Sequence, residues 1–183
     1  MHKVWKIALC VVLLSCSGLA LGQWHKNGFV SLDSEWSRSD YGFSAMLLLS
    51  DQPDFVLRSW AKPADGIPVH RNADKITRGV PIVAFVFFSG CEAGDNGLCN
   101  ATADFTILRP DGSVYESFNG RDLWKDKPAP PYGTLRLSAE YVGVVIEPED
   151  PLGEYQVLVS VHDLNSGANL ELQKSFIAAE NRE

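Results

Sequence analysis

Gly153-Glu154-Tyr155-Gln156-Val157-Leu158-Val159-Ser160-Val161-His162-Asp163 decides the reading of this chain. Tyr155, Val157, Val159 and Val161 take alternate positions, with Gln156, Ser160 and His162 between them and Leu158 as the exception. Successive side chains of a strand point to opposite faces, so the pattern predicts a strand buried on one face. Ala101, Ala103, Phe105 and Ile107 alternate with Thr102, Asp104 and Thr106 in the same way. Val80–Phe88 is apolar throughout, as a central strand covered on both faces would be. Phe43–Leu49, Leu135–Leu137, Val142–Glu147 and Leu170–Ile177 are the remaining strand candidates.

Turn residues separate these runs. Asn96-Gly97 predicts a type I′ hairpin, which needs positive φ at both central residues. Pro110-Asp111-Gly112 and Asn165-Ser166-Gly167 mark two further turns, and Pro128-Ala129-Pro130-Pro131 a loop that no central strand could contain. One segment reads as a helix, two turns near 52–60. There Asp51 would cap, Pro53 would occupy the first turn, and Phe55, Val56, Leu57 and Trp60 would supply the apolar face. Short strands, Gly/Pro turns and one small helix predict an all-β fold, an immunoglobulin-like antiparallel β-sandwich. Within it, 23–75 would pack N-terminal strands and the helix onto a sandwich spanning 76–179, with 180–183 as a tail.

Asp150-Pro151-Leu152-Gly153-Glu154-Tyr155-Gln156-Val157-Leu158-Val159, followed by Asp163 and Ser166-Gly167, resembles the closing strands of macroglobulin-type and related bacterial immunoglobulin-like domains. In these a Pro-x-Gly-x-Tyr start opens a strand of alternating valines. The resemblance covers about 30 residues, within 140–177, and implies a packing arrangement rather than an activity. The chain has no thioester motif and no array of repeats. As a whole it resembles an exported bacterial protein.

Residues 1–22 read as a secretory leader: Lys3 and Lys6, then the apolar run Ile7–Leu14, then small residues at Ala20 and Gly22. The alternative is lipoprotein processing at Cys16, after Leu13-Leu14-Ser15. Either way the destination is the periplasm or the exterior. Losing Lys3 and Lys6 leaves 14 basic residues against 23 acidic ones, a net of −9. Such a charge argues against nucleic acid as a partner, and no later apolar stretch is long enough for a membrane span. With Cys10 and Cys16 in the leader, Cys91 and Cys99 are the two cysteines that remain, and an oxidising compartment should join them as a structural clip.

Catalytic signatures are missing from the pattern. There is no G-x-S-x-G elbow, no H-E-x-x-H and no phosphate-cradling glycine loop, so the expectation is a protein that is not an enzyme and carries no cofactor and no metal. Glu92, Asp95 and Asn96 in one loop, and Glu147, Glu149, Asp150 and Glu154 in another, could supply oxygens to calcium but read as solvated acids. Asn100-Ala101-Thr102 fits a glycosylation acceptor but falls at a predicted strand. Trp24, Trp36, Tyr41, Trp124 and Tyr132 lie in or near predicted loops or ends and are the candidate ligand contacts, while closing the open ends of the core is the preferred reading for Trp60 and Trp124. The function expected is binding, to a protein or peptide of the cell envelope. A carbohydrate-binding module using those aromatics is the alternative. A hydrolase with His162 or His70 as base ranks third, since His162 and Ser160, two apart on one strand face, point in parallel.

Overall fold

The computed structural model describes residues 33–40, 42–61 and 72–180. In chain order the elements are β1 (Ser37–Asp40), β2 (Phe43–Ser50), α1 (Pro53–Ala61), β3 (Lys75–Thr77), β4 (Pro81–Ser89), β5 (Leu98–Leu108), β6 (Val114–Pro128), β7 (Arg136–Leu137), β8 (Val142–Val145), β9 (Gly153–Asp163) and β10 (Ala168–Ala179). They form two sheets. The first runs β1-β2-β4, with β7 and β8 in succession along the far side of β4; the second runs β3-β10-β9-β5-β6. Every pairing is antiparallel except that of β3 with β10.

Alternation builds the core. Tyr155, Val157, Val159 and Val161 of β9, and Ala101, Ala103, Phe105 and Ile107 of β5, meet Phe43, Ala45, Leu47 and Leu49 of β2 and the even-numbered residues of β4 between the sheets. The odd-numbered Val83, Phe85 and Phe87 form a second apolar layer on the outer face of the first sheet, with Leu48 and Val56 buried and Leu57 and Trp60 packed against them. Helix α1 therefore makes β4 apolar on both faces. Its boundaries move by a residue from expectation: Pro53 is the first helical residue, so Gln52 rather than Asp51 takes the capping position. Phe55 turns outward, half exposed.

Three further expectations change. Of the segment 23–75, the described strands β1 and β2 share a sheet with β4, and 75 is the first residue of β3 in the other sheet; 23–32, 41 and 62–71 lie outside the described residues. Asn96-Gly97 is not a type I′ turn between paired strands. Gly97 has φ 76° and Asn96 is not in the positive-φ region; Gly97 N–H donates to Gly94 O, and Gly94 N–H to Leu98 O. That is a three-residue loop closed by a left-handed glycine. It sits in the connection that carries the chain from the first sheet to the second. Finally, Trp124 lies in a strand rather than a loop, because β6 extends over 15 residues.

Tyr155 anchors the corner at the start of β9. Its ring is fully buried, stacked on Phe176 with centroids 5.5 Å apart, and its hydroxyl donates back to Pro151 O at 2.8 Å. A tyrosine bonding to the backbone just upstream is the corner found in immunoglobulin-like sandwiches. Gly153 belongs to the same corner: φ is 134°, and an added Cβ would press on the Pro110 ring at 3.1 Å.

Candidate functional site

The two flanks of the sandwich are closed differently, and one of them holds the candidate site. On the β6 side, Ala139 N–H bonds to Leu123 O and Glu140 N–H to Asp122 O. On the β10 side two short segments staple the sheets together. Trp36 O accepts Leu47 N–H from β2 while Glu35 O accepts Gln173 N–H from β10. Ala73 N–H donates to Leu49 O of β2 while Asp74 O accepts Ile177 N–H of β10.

Between these staples lies Lys174. Ala168, Leu170, Leu172, Phe176 and Ala178 of β10 are all buried in the core. Position 174 belongs to the same inward set, opposite Val157 in register. A cation thus occupies a place where the pattern calls for an aliphatic side chain. Its ammonium donates to Asn72 Oδ1 at 2.7 Å and lies 4.9 Å from the centroid of the Trp36 ring. Asn72 is itself held: Oδ1 also accepts Leu49 N–H at 3.2 Å, and Nδ2 donates to Asp74 Oδ1. Burial pushes Lys174 down from its ordinary value to about 8, with the Asp74 carboxylate opposing that shift. Trp36 remains 41% exposed, so one side of this pocketed amine is roofed by a ring that solvent reaches. A small apolar void lies between the sheets, lined by Leu49, Ile82, Ala84, Ile107, Val142, Val144 and Val157. Leu49, which lines the void, also donates its backbone N–H to Asn72.

The aromatic residues marked by the sequence do not gather. Trp24 and Tyr41 lie outside the described residues, as do His25 and His70. Trp36 stands at the β10 flank. Trp124 stands at the opposite one, 5.7 Å from Phe88 and beside Lys127 and Arg136, its Nε1–H donating to Pro128 O. In the second sheet β9 and β5 separate β10 from β6, three spacings or about 14 Å. Trp36 and Trp124 consequently make no shared platform. Tyr132 projects alone, 89% exposed, from the proline-rich loop. Trp60 packs edge-on to Phe87 under α1.

The other candidates have structural partners. His162 Nε2 meets Asp104 Oδ2 at 3.3 Å across the outer face of the second sheet, while Ser160 Oγ donates to Glu171. The serine and the histidine are thus paired with different acids. Asp150 Oδ2 accepts the Tyr115 hydroxyl at 2.7 Å and Glu147 N–H at 2.9 Å, and Arg78 clasps the carbonyls of Pro148 and Asp150. Burial raises the Asp150 carboxyl, but those two donors and the fields of Arg109 and Arg78 hold it below its ordinary value. Asp150 therefore braces a corner. Among the described residues no group of three or more His, Cys, Asp or Glu side chains could hold a metal ion.

Cys91 and Cys99 are bonded, with Cα atoms 6.0 Å apart. Asp163, only 1% exposed, docks the bridged loop. Its carboxylate accepts Glu92 N–H, Asn165 N–H and Ser166 Oγ–H, and Asn165 Nδ2 donates to the carbonyls of Glu92 and Leu98. No helix among the described residues is long and apolar enough to cross a membrane.

No family model matches this chain, and no curated protein does. Three solved structures share parts of its shape. The Niemann-Pick type C2 protein of the Japanese carpenter ant is 11% identical, with a TM-score of 0.43, over 80% of this chain and 96% of that one. A family 123 glycoside hydrolase from Clostridium perfringens is 8% identical, with a TM-score of 0.40, over 75% of this chain. The alkylpurine DNA glycosylase AlkC of Pseudomonas fluorescens, bound to DNA with an abasic site analogue, is 14% identical, with a TM-score of 0.36, over 58% of this chain. The matched part spans 28% and 27% of those two longer chains.

Proposed function

We propose that this chain is an exported binding protein of the cell envelope that takes a protein or peptide partner and works without a catalytic constellation. The observation that carries the reading is the Trp36–Lys174 pair at the seam between the sheets. A half-exposed indole beside a cation, framed by Asn72 and Asp74, is the kind of compact aromatic and charged group on which interface energy concentrates. Strand addition is the less favoured mode. β1 and β3 have four and three residues, and the pairing of β5 with β6 is broken by four register shifts that kink the long edge. The disulfide suits an oxidising compartment.

The test is capture from an envelope extract by the wild-type chain and by Trp36→Ala. Loss of a specific partner in the variant, with Trp124→Phe retaining it, supports the seam as the contact. Identical captures by wild type and Trp36→Ala would remove its basis.

A further inference from the structure

We propose that the β6 flank is a docking surface for an acidic peptide, with the Arg121 and Arg136 guanidiniums as its two anchoring points. The inference concerns the flank opposite Trp36 and stands without the seam reading. It begins with register. Arg121 lies opposite Ala103 and Trp124 opposite Ala101 across β5, and Arg136 lies opposite Phe88 across β4. Directly opposed residues share a face. Ala101, Ala103 and Phe88 point into the core, so both arginines are turned toward the gap between the sheets, where the alternation calls for apolar side chains. Each guanidinium lies against a ring, Arg121 Cζ 5.6 Å from the Phe118 centroid and Arg136 Cζ 5.9 Å from that of Trp124. The Nε of each is buried and has no acceptor, while each residue as a whole is half-buried. A fork lodged in this way has a fixed inner end and presents its Nη pair outward, ready for a carboxylate.

Charge complementarity selects the ligand. Among the described residues neither arginine forms an ion pair. The neighbouring acids are engaged elsewhere: Asp122 takes the Lys127 ammonium and Lys125 N–H, and Glu140 takes Asp122 N–H. Half-buried cations without counter-charges are costly to desolvate, and a partner's carboxylates supply what the chain itself does not. The chain carries −7 overall, so an acidic peptide is held off elsewhere and drawn to the unpaired cations. The backing rings set the ligand's length. Phe118 and Trp124 stand opposite Phe105 and Ala101, four residues of β5 or about 13 Å apart, more than one small anion spans. An extended chain with several carboxylates fits. A peptide suits the flank better than an acidic polysaccharide, because the rings are already engaged by Arg121, Lys127 and Arg136 instead of lying open for a sugar to stack on.

Capped octaglutamate, octagalacturonate and acetate are the probes, added to the isotope-labelled, disulfide-bonded chain in about 150 mM sodium chloride, where screening leaves only close charge pairs. The arginine Nε–H resonances are followed. Octaglutamate is expected to shift the Arg121 and Arg136 signals saturably and to leave those of the exposed Arg38 and Arg58 in place. Arg121→Gln and Arg136→Gln should each weaken binding about ten-fold, while Arg58→Gln leaves it unchanged. Arg121 and Arg136 signals that move no more than those of Arg38 and Arg58 overturn the proposal. So does octagalacturonate binding as tightly as octaglutamate, which makes the flank a polysaccharide site, and so does acetate reproducing the shifts at the same concentration, which makes it a site for single anions. The wild-type signals decide without any variant having to fold.

Discussion

A Cβ placed on Gly90 would lie 2.0 Å from the carbonyl oxygen of Gly42. The contact arises because β2 and β4 pair up to Ser44 and Ser89, so the residues just beyond those ends run against each other with no room for a side chain. Gly90 also has φ 77°. Gly90→Ala therefore combines left-handed strain with a backbone clash and should destabilise by about 3–5 kcal/mol. Gly112 has φ 82° and open space where a Cβ would stand, so it isolates the first effect, and Gly112→Ala should cost about 1–2 kcal/mol. Urea titration of both variants checks the difference; equal losses would mean the Gly42 contact yields easily.

The disulfide and Asp163 should prove coupled. The bridge closes a short loop, and replacing both cysteines by alanine should cost roughly 2–3 kcal/mol in the chain-entropy picture. Asp163→Ala strands the Glu92 N–H and the Ser166 hydroxyl and should cost about 2–4 kcal/mol. Glu92 follows Cys91 directly, so each change loosens what the other holds. A double-mutant cycle on denaturation midpoints should return a coupling of about 1 kcal/mol or more. Simple additivity would show that Asp163 supports only its own turn.

Legibility in the sequence followed burial. β9 and β10 could be read because one face of each is inside, and Val80–Phe88 because α1 covers the other side of β4. β6 could not. Leu123 is its one fully buried residue, and register shifts beside Ala103/Phe105 and Ile107/Leu108 destroy any two-residue period. Asn96-Gly97 was legible as a turn but not as a crossover, since a dipeptide does not record whether the strands beside it share a sheet. At the candidate site Trp36 was visible as a loop aromatic. Asn72 was not, being recruited through a contact 102 residues distant in sequence. Lys174 left one trace: Leu170, Leu172 and Phe176 alternate inward and the step at 174 is a lysine.

The Tyr115–Asp150 bond should govern acid stability. The folded carboxyl titrates below the ordinary 3.8, so its contribution is complete above that value and is lost as pH falls through the lower folded one. Asp150→Asn should flatten the decline of stability below about pH 4, and Tyr115→Phe should cost about 1–2 kcal/mol at neutral pH. Acid-unfolding curves followed by circular dichroism distinguish the cases. Parallel slopes for wild type and Asp150→Asn would show that other carboxylates dominate.

Lys174 predicts a slope of the same sign at alkaline pH, here from a group whose charged form the fold disfavours. The fold holds the amine at about 8 and the unfolded chain at its ordinary 10.5, so between those values the unfolded chain binds a proton that the fold rejects. Stability then rises with pH across the window, whereas below it the fold bears the cost of a partly buried cation. Trp36 and the Asn72 carbonyl offset part of that cost, and solvent at the seam screens more of it. Lys174→Met should therefore stabilise by about 1–2 kcal/mol at pH 7, and the gain should shrink toward zero by about pH 10. Urea midpoints at pH 7, 8.5 and 10 measure it. Wild-type stability that falls across this window relative to Lys174→Met would mean that the Trp36 face and Asp74 outweigh burial, keeping the ammonium charged.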